Sequence, residues 1–306
     1  YRTHPEWAIQ IPSRKPIRSR YQLVLDMTNP DVREYLFNSI SKILRSAGIS
    51  YVKWDMNRSI CDHYTPCLSA DDQGEISHRY VLGLYELLER LTSEFPDVLF
   101  EGCSGGGGRF DAGMLYYCPQ IWCSDDTDAY ERTKIQYGTS FFYPVSAVGS
   151  HVSAVPNHQT GRTTPIETRA VTAMAGSFGY ELDLNTLSDS EKQEVRKQIT
   201  RFKKYGRLIH NGLYYRLSDP MNDKFAVWEF VSEDKKEVLV NGVIFRTEPN
   251  RTQYLIKLRG LLPDADYRLD DSGMVYKGSA LMNGGILLPK SWGDNYPVEM
   301  HFTKGE

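Results

Sequence analysis

The sequence has few cysteines, and none of them has the spacing of a structural site. Its 306 residues contain five, namely Cys61, Cys67, Cys103, Cys118 and Cys123. The number is odd and no two form a C-x-x-C pair, so neither a zinc site nor a disulfide framework is indicated. A reducing compartment such as the cytoplasm is the simplest location for such a chain.

Long hydrophobic runs and a large excess of charge are also missing. No segment approaches the roughly 18 consecutive apolar residues that a membrane-spanning helix needs. The formal net charge of −3 gives no reason to expect a nucleic acid or an acidic membrane as a partner. With 41% hydrophobic and 25% charged residues, the chain has the composition of a globular protein with a large core and room for a second domain.

Three common ligand-binding motifs are absent. The glycines at 105–108 lack both the Gly-Lys-Ser/Thr continuation of a phosphate loop and the spacing of a dinucleotide fingerprint. The acidic run at 125–128 lacks the glycine and the later ligands of a calcium loop. His151 and His158 have no third ligand at a matching spacing, so the sequence predicts no metal site.

What the sequence does contain is an alternation of strand and helix patterns over residues 20–212. The predicted strands cover residues 20–26, 49–55, 98–103, 121–124, 148–153 and 178–182. A helical pattern follows each of them, and the last helix opens with a capping box at 188–191. Such alternation requires parallel strands with right-handed crossovers, in either a doubly wound sheet or a (β/α)8 TIM barrel.

From about residue 213 the pattern changes to short β-prone segments separated by Gly, Pro, Asn and Asp turns. These segments cover residues 214–217, 225–230, 237–243, 254–258, 267–269 and 298–302. We predict a small antiparallel β-sandwich over residues 213–306, with no catalytic cluster. Residues 1–212 then form the catalytic domain.

Three of the predicted strands end in reactive side chains: Asp55, Cys103 with the glycines after it, and Asp125. Reactive residues at the ends of several different strands favour the barrel over the open sheet. Asp55 and Asp125 lie two strand-helix units apart, so they can face each other across a barrel mouth. Two carboxylates flanking a bond are what glycoside hydrolysis requires.

Each aspartate also has an ordinary structural explanation when it is taken singly. Asp55 can form an ion pair with Arg58 or Lys53, and Asp125 can cap the following helix. Against this, Lys53 and Asp55 share one face of a strand, where a cation holds a nucleophile ionised and offers a donor to a substrate hydroxyl. Trp54 points the other way, into the core.

The motifs KWDMNR at 53–58, CSGGG at 103–107 with RFD at 109–111, and SDDTD at 124–128 with Arg132 and QYG at 136–138 occur in this order. Together they resemble the catalytic domain of the bacterial glycoside hydrolase family 36 α-galactosidases. The resemblance extends over most of residues 1–212. It rests on three separate motifs with family-like spacing.

The resemblance implies a retaining α-galactosidase that acts on melibiose-type and raffinose-type oligosaccharides without a metal or organic cofactor. Asp55 is then the nucleophile and Asp125 the acid/base, with their carboxyl groups about 5–5.5 Å apart. The galactose pocket is lined by Arg20, Lys53, Asn57, Cys103 and Gly105. By analogy, the full-length enzyme is a homotetramer.

The chain differs from the family at its start, Tyr1, where neither an initiator methionine nor a signal peptide is found. Family members carry an N-terminal β-sandwich and two earlier barrel units. We therefore expect a fragment with about strands 3–8 of the barrel, which alone is inactive or nearly so. A transglycosylase of the raffinose or stachyose synthase type, an α-N-acetylgalactosaminidase and an inactive sugar-binding relative remain open alternatives.

Overall fold

The computed structural model describes residues 1–250 and 253–305. Residues 251, 252 and 306, which belong to the predicted sandwich, lie outside the described residues. The chain divides into two compact units, Tyr1–Trp122 and Cys123–Glu306. In the described ranges, no helix has both the length and the apolar character needed to cross a membrane.

The first unit is built on parallel strands with helices between them. The strands are β1 (Tyr51–Asp55), β2 (Leu99–Cys103) and β3 (Gln120–Trp122), and the helices are α1 (Pro30–Ser46), α2 (Ile76–Glu94) and α3 (Ala112–Tyr117). β2 pairs in parallel with both β1 and β3. The carboxyl ends of the three strands therefore lie at one edge of the sheet.

Local sequence explains why the helices of this unit form where they do. The side chain of Asn29 accepts the N–H of Asp31, and a proline occupies the first turn of α1, as the helix pattern predicts. The leucines Leu87, Leu88 and Leu91 of α2 are fully buried. They form one face of the helix and pack in the same apolar cluster as residues of β2 and β3.

The second unit begins with a parallel strand pair and three helices. These are β4 (Val148–Ser153) and β5 (Ser177–Glu181), with α4 (Ala129–Thr139), α5 (Ile166–Ala173) and α6 (Asp189–Asn211). The capping box that the sequence predicts at the start of α6 is present, because Ser188 and Glu191 each accept a backbone N–H of the other. The helix extends six residues beyond the predicted end at Tyr205.

An antiparallel region follows α6. A six-stranded sheet has the order β11-β10-β13-β8-β7-β6, and two further strands form a separate pair. The bounds are β6 (Leu213–Arg216), β7 (Phe225–Val231), β8 (Glu237–Ile244), β9 (Leu255–Ile256), β10 (Asp266–Leu269), β11 (Val275–Lys277), β12 (Ile286–Leu287) and β13 (Tyr296–Lys304). One apolar core joins residues of the two sheets, which confirms the predicted antiparallel β domain.

Two local predictions differ from the structure. Residues 20–26 form a turn with isolated bridges rather than a strand, because Arg20 and Tyr21 have φ angles of 51° and 59°, outside the β region. The strands β11 and β12 were not predicted, since segments of three and two residues carry too little alternation to be recognised.

We expect Gly83→Ala to destabilise the protein, because an added Cβ would overlap the carbonyl oxygen of Met27 and lie 2.9 Å from its carbonyl carbon. The cost of such overpacking is about 1–3 kcal/mol. Gly206→Ala in α6 is the matched control, since its Cβ would only contact the Phe202 ring at 3.7 Å or more. Denaturant unfolding should show a gain of about 0.5–1 kcal/mol for the control. A Gly83→Ala variant as stable as the parent would contradict this packing.

We also expect Glu229→Gln to stabilise the protein increasingly as the pH rises. Glu229 on β7 is fully buried, and burial raises its pKa from 4.5 to about 8, although the N–H of Arg259 donates to Oε1 at 2.6 Å. The folded protein holds the proton more tightly than the unfolded chain, so the carboxyl costs stability progressively between pH 4.5 and pH 8.

Thermal unfolding from pH 4 to pH 9 measures this difference. The Gln variant should gain at least about 1 kcal/mol over the parent at high pH, the equivalent of one pKa unit, and little at pH 4. Glu233→Gln at an exposed position is the control and should show no such trend. A constant difference between Glu229→Gln and the parent across the range would contradict the prediction.

Candidate active site

The strand β1 presents its polar residues on one face. Tyr51, Lys53 and Asp55 alternate with Val52 and Trp54 and are the more exposed set. Trp54 lies in the apolar cluster behind the sheet, where its ring approaches that of Phe100. The alternation therefore carries Lys53 and Asp55 to the open side of the sheet, as the sequence predicts.

The Asp55 carboxylate is oriented by the amide of Asn57. Nδ2 of Asn57 donates to Oδ2 of Asp55 at 2.6 Å, and Oδ1 of Asn57 accepts the N–H of Gly105 at 2.7 Å. Gly105 has a φ angle of 54°, a conformation that glycine adopts without strain. Asn57 thus fixes one oxygen of Asp55 and connects β1 to the loop after β2.

That loop is held by its own backbone and by two side chains. The carbonyl of Ser104 accepts the N–H of Gly108 at 3.3 Å, and a Cβ at Gly108 would lie 2.7 Å from that carbonyl oxygen. The hydroxyl of Ser104 donates to the carbonyl of Met56 at 2.6 Å, and Nη1 of Arg109 donates to the same carbonyl at 3.0 Å. Arg109, part of the RFD motif, therefore holds the loop against the end of β1.

Cys103 is the register partner of Asp55 and is buried. Burial raises the pKa of its thiol to about 11, and the neighbouring Asp55 carboxylate also raises it. The thiol is therefore neutral at physiological pH. It can donate a weak hydrogen bond but is not a nucleophile.

The ammonium group of Lys53 has two neighbours on the same side of the sheet. Its Nζ lies 3.8 Å from Oε1 of Glu101 and 4.9 Å from the centre of the Trp122 ring. The structural explanation of Asp55 as an ion-pair partner of Lys53 or Arg58 fails, because the described residues show no ion pair of Asp55. Instead, the Arg58 guanidinium donates to the carbonyl of Ile17 at 2.8 Å.

In the second unit, Asp125 lies in the segment before α4 and its side chain is exposed. The cap of α4 is Asp128, whose Oδ1 accepts the N–H of Tyr130 at 2.9 Å. The structural explanation of Asp125 as a helix cap is therefore wrong. The main-chain oxygen of Asp125 accepts the side-chain amide of Gln159 at 3.4 Å.

The other aspartates of this segment have structural partners. Oδ1 of Asp126 accepts the N–H of Asp128 at 2.9 Å. Oδ2 of Asp128 accepts the Thr160 hydroxyl at 2.5 Å and forms an ion pair with Arg162 at 2.6 Å. Burial raises the pKa of Asp128, but the hydrogen bonds from Thr160, Arg162 and the N–H of Tyr130, with the Arg162 charge, outweigh it, and the pKa falls below its ordinary value.

Arg132, another residue of the sequence motifs, fixes the start of this segment. It is buried, and its guanidinium donates to the carbonyl of Ser124 at 3.2 Å and to the carbonyl of Gly149 at 2.6 Å. Arg132 on α4 therefore ties the start of the segment that carries Asp125 to α4 and, through Gly149, to β4. Its geometry leaves the Asp125 carboxylate presented to solvent.

The structure thus brings together most of the residues that the sequence singles out. Lys53, Asp55, Asn57, Cys103 and Gly105 lie at the carboxyl ends of β1 and β2. Arg20 lies instead on the exposed turn described above, and among the described residues it shares no hydrogen bond or ion pair with this group. Asp125 belongs to the other unit, and its separation from Asp55 stays a prediction.

Sequence reasoning did not single out Glu101, whose buried carboxylate lies 3.8 Å from the Lys53 ammonium. The only available signal was a carboxylate inside an otherwise apolar strand pattern, two positions before Cys103.

In the described ranges, no cluster of histidine, cysteine, aspartate or glutamate side chains has the arrangement of a metal site.

Comparison with known proteins gives closely similar sequences. The chain is 56% identical over 304 residues to the bifunctional alpha-galactosidase/sucrose kinase AgaSK of Mediterraneibacter gnavus, covering 99% of this chain and 32% of that protein. It is 49% identical to the alpha-galactosidase AgaA of Geobacillus stearothermophilus, covering 94% of this chain and 40% of that protein. The chain therefore spans about two fifths of the length of these relatives or less.

The fold of this chain agrees closely with solved structures of AgaA. A crystal structure of an AgaA variant in complex with raffinose matches with a TM-score of 0.97 at 46% identity, over 100% of this chain and 42% of that one. A second AgaA variant in complex with stachyose gives the same TM-score and coverage. The fold class is thus confirmed as part of a (β/α)8 barrel followed by an antiparallel β-sheet domain.

Two family models match the chain in the order of its two kinds of architecture. The model described as Melibiase matches residues 1–212, and the model described as the glycosyl hydrolase family 36 C-terminal domain matches residues 225–302. The chain therefore belongs to glycoside hydrolase family 36, with a melibiase domain followed by the family's C-terminal domain.

Proposed function

We propose that the protein containing this chain is an α-galactosidase that releases terminal α-linked galactose from melibiose, raffinose and related oligosaccharides. The observation that carries the proposal is the Asp55 carboxylate at the end of β1, oriented by Asn57 and adjacent to a buried neutral thiol. Two findings support this function. The similar proteins are named as alpha-galactosidases, and the AgaA variants were crystallised in complex with raffinose and stachyose.

In this proposal Asp55 is the nucleophile of a retaining double displacement. Asn57 donates to Oδ2, which leaves Oδ1 to attack the anomeric carbon and form a covalent galactosyl-enzyme. The Lys53 ammonium on the same face of β1 offers donors to a sugar hydroxyl. The attack inverts the anomeric carbon once, so the intermediate has the β configuration.

Asp125 is the acid/base of the same reaction. Asp126 accepts a backbone N–H of its own segment and Asp128 accepts the Thr160 hydroxyl, so Asp125 is the aspartate of this run whose carboxylate remains for chemistry. As an acid it protonates the glycosidic oxygen, and as a base it then deprotonates the water that releases galactose. For a retaining enzyme the two carboxyl groups should lie about 5–5.5 Å apart.

The galactose site is lined by Arg20, Lys53, Asn57, Cys103 and Gly105, with Gly105 allowing the backbone to approach the sugar closely.

Residues 1–212 form the catalytic domain and residues 213–306 the accessory β domain. The free state of all five cysteines supports a reducing compartment such as the cytoplasm. Association into a tetramer is also part of the proposal.

We expect Asp55→Ala in the full-length gene product to lower kcat for 4-nitrophenyl α-galactoside by about 10³-fold or more, because no covalent intermediate can form. Added azide should restore turnover and give β-galactosyl azide, since the anion attacks in place of the carboxylate. Product NMR identifies the anomer. Asp71→Ala at an exposed site is the control and should behave as the parent. Unchanged activity in Asp55→Ala would exclude this residue as the nucleophile.

We expect Asp125→Ala to discriminate between leaving groups. Raffinose needs a proton on its departing oxygen, so kcat/KM should fall by about 10²–10⁴-fold, the usual contribution of general acid catalysis. Nitrophenolate leaves without protonation, and kcat/KM for the nitrophenyl substrate should fall far less. Azide should yield α-galactosyl azide, because it attacks the intermediate formed on Asp55. Equal losses for both substrates would contradict the acid role.

A further inference from the structure

A buried carboxylate, Glu101, lies one residue pair below Asp55 and Cys103 along β1 and β2. It is 2% exposed. In the parallel register of β1 and β2, Glu101 pairs with Lys53, and Cys103 pairs with Asp55 one step closer to the strand ends. A buried charge is costly unless it is compensated by hydrogen bonds or an opposite charge. The groups that contact Glu101 therefore indicate its role.

One oxygen of Glu101 is held by neutral donors on both neighbouring strands. Oε2 accepts a hydrogen bond from the Tyr51 hydroxyl and another from the side-chain amide of Gln120 at 3.2 Å. Burial, followed by the hydrogen bond to Glu101, raises the pKa of Tyr51, so the phenol keeps its proton and remains a donor. These contacts fix the plane of the carboxylate from β1 and β3.

The other oxygen is turned towards the cation. Oε1 has no hydrogen-bond partner among the described residues, and the nearest charge is the Lys53 ammonium at 3.8 Å. The ammonium also lies 4.9 Å from the centre of the buried Trp122 ring. A carboxylate and an aromatic face therefore both attract it.

We propose that Glu101 is a positioning residue, which holds the Lys53 ammonium on the substrate side of the sheet so that it donates to a sugar hydroxyl beside Asp55. This rests on the proposed function. Glu101 acts through Lys53 and does not touch the sugar, because its side chain is buried and one of its oxygens is already engaged by Tyr51 and Gln120. Without the carboxylate, the Lys53 side chain would be mobile in the free enzyme. Ordering it at each binding event would then lower the affinity for substrate.

The test is Glu101→Gln in the full-length gene product. The amide retains the shape of the side chain and an acceptor for Tyr51 but removes the charge that faces Lys53. We expect KM for the nitrophenyl galactoside and Kd for free galactose to rise about 10-fold, the equivalent of one weakened charged hydrogen bond. We expect kcat to change less than about 3-fold, since the contact serves bound substrate and transition state alike.

Glu86→Gln is the matched control, because the exposed Glu86 on α2 also forms an ion pair, with Arg33 of α1, and its loss should leave KM, kcat and Kd unchanged. A purely structural role of Glu101 would lower the melting temperature and the fraction of active enzyme, whereas KM and the galactose Kd would stay constant. An unchanged KM and Kd in folded Glu101→Gln would overturn the proposal.

A double-mutant cycle tests whether the effect passes through Lys53. In a Lys53→Met background, Glu101→Gln should change the galactose Kd by less than about 2-fold, because the group that it positions is gone. A tenfold rise in both backgrounds would show that Glu101 acts independently and would overturn the proposal. If Glu101→Gln does not fold, Glu101→Asp keeps the charge and should retain a galactose Kd close to that of the parent.

The same variants separate this inference from the proposed function. A parent enzyme that neither hydrolyses α-galactosides nor binds galactose contradicts the proposed function. The unfolding free energies of the four proteins in the cycle report the Lys53–Glu101 coupling whether or not the parent is active. Coupling indistinguishable from zero would overturn the positioning role, and clear coupling would support the pairing on which it depends.

Discussion

The parallel register between β1 and β2 is the constraint on which the site in the first unit depends. It pairs Asp55 with Cys103 and Lys53 with Glu101, so one alignment decides both the environment of the proposed nucleophile and the partner of the nearby cation. A slip of one residue would move each of these side chains to the other face of the sheet. The apolar face of the same strands, including Trp54, prevents that slip, because it is packed against the helices.

Charge is distributed so that two buried carboxylates, Glu101 and Asp128, are paired and the proposed catalytic ones are not. Glu101 lies against Lys53 and Asp128 against Arg162. In the described parts of the chain, neither Asp55 nor Asp125 forms an ion pair. A carboxylate in a tight ion pair is a weaker nucleophile and a weaker general base, since its charge is already stabilised. The buried pairs hold the scaffold of the site and leave the two aspartates available for chemistry.

Much of the fold follows from local sequence. The cap at Asn29 and the capping box at Ser188 fix the starts of two helices through contacts within one turn, and such contacts can be read from spacing alone. The strands β1, β2 and β4 carry clear apolar runs, and their predicted ends lie within two residues of the observed ones. Residues 20–26 were predicted wrongly because Arg20 and Tyr21 adopt positive φ angles. Neither residue type favours such angles, and no local sequence pattern predicts them here.

The sequence by itself determined the family, the order of the two architectures and the identity of the strand-end residues such as Asp55 and Cys103. These features depend on residue type and spacing, which are the same whatever tertiary contacts the chain forms. Only the tertiary structure decided that Asn57 links Asp55 to the glycine loop and that Glu101 faces Lys53. Such contacts join residues far apart in the chain, and they exist only because the parallel pairing of the strands fixes one register among several that the apolar pattern permits.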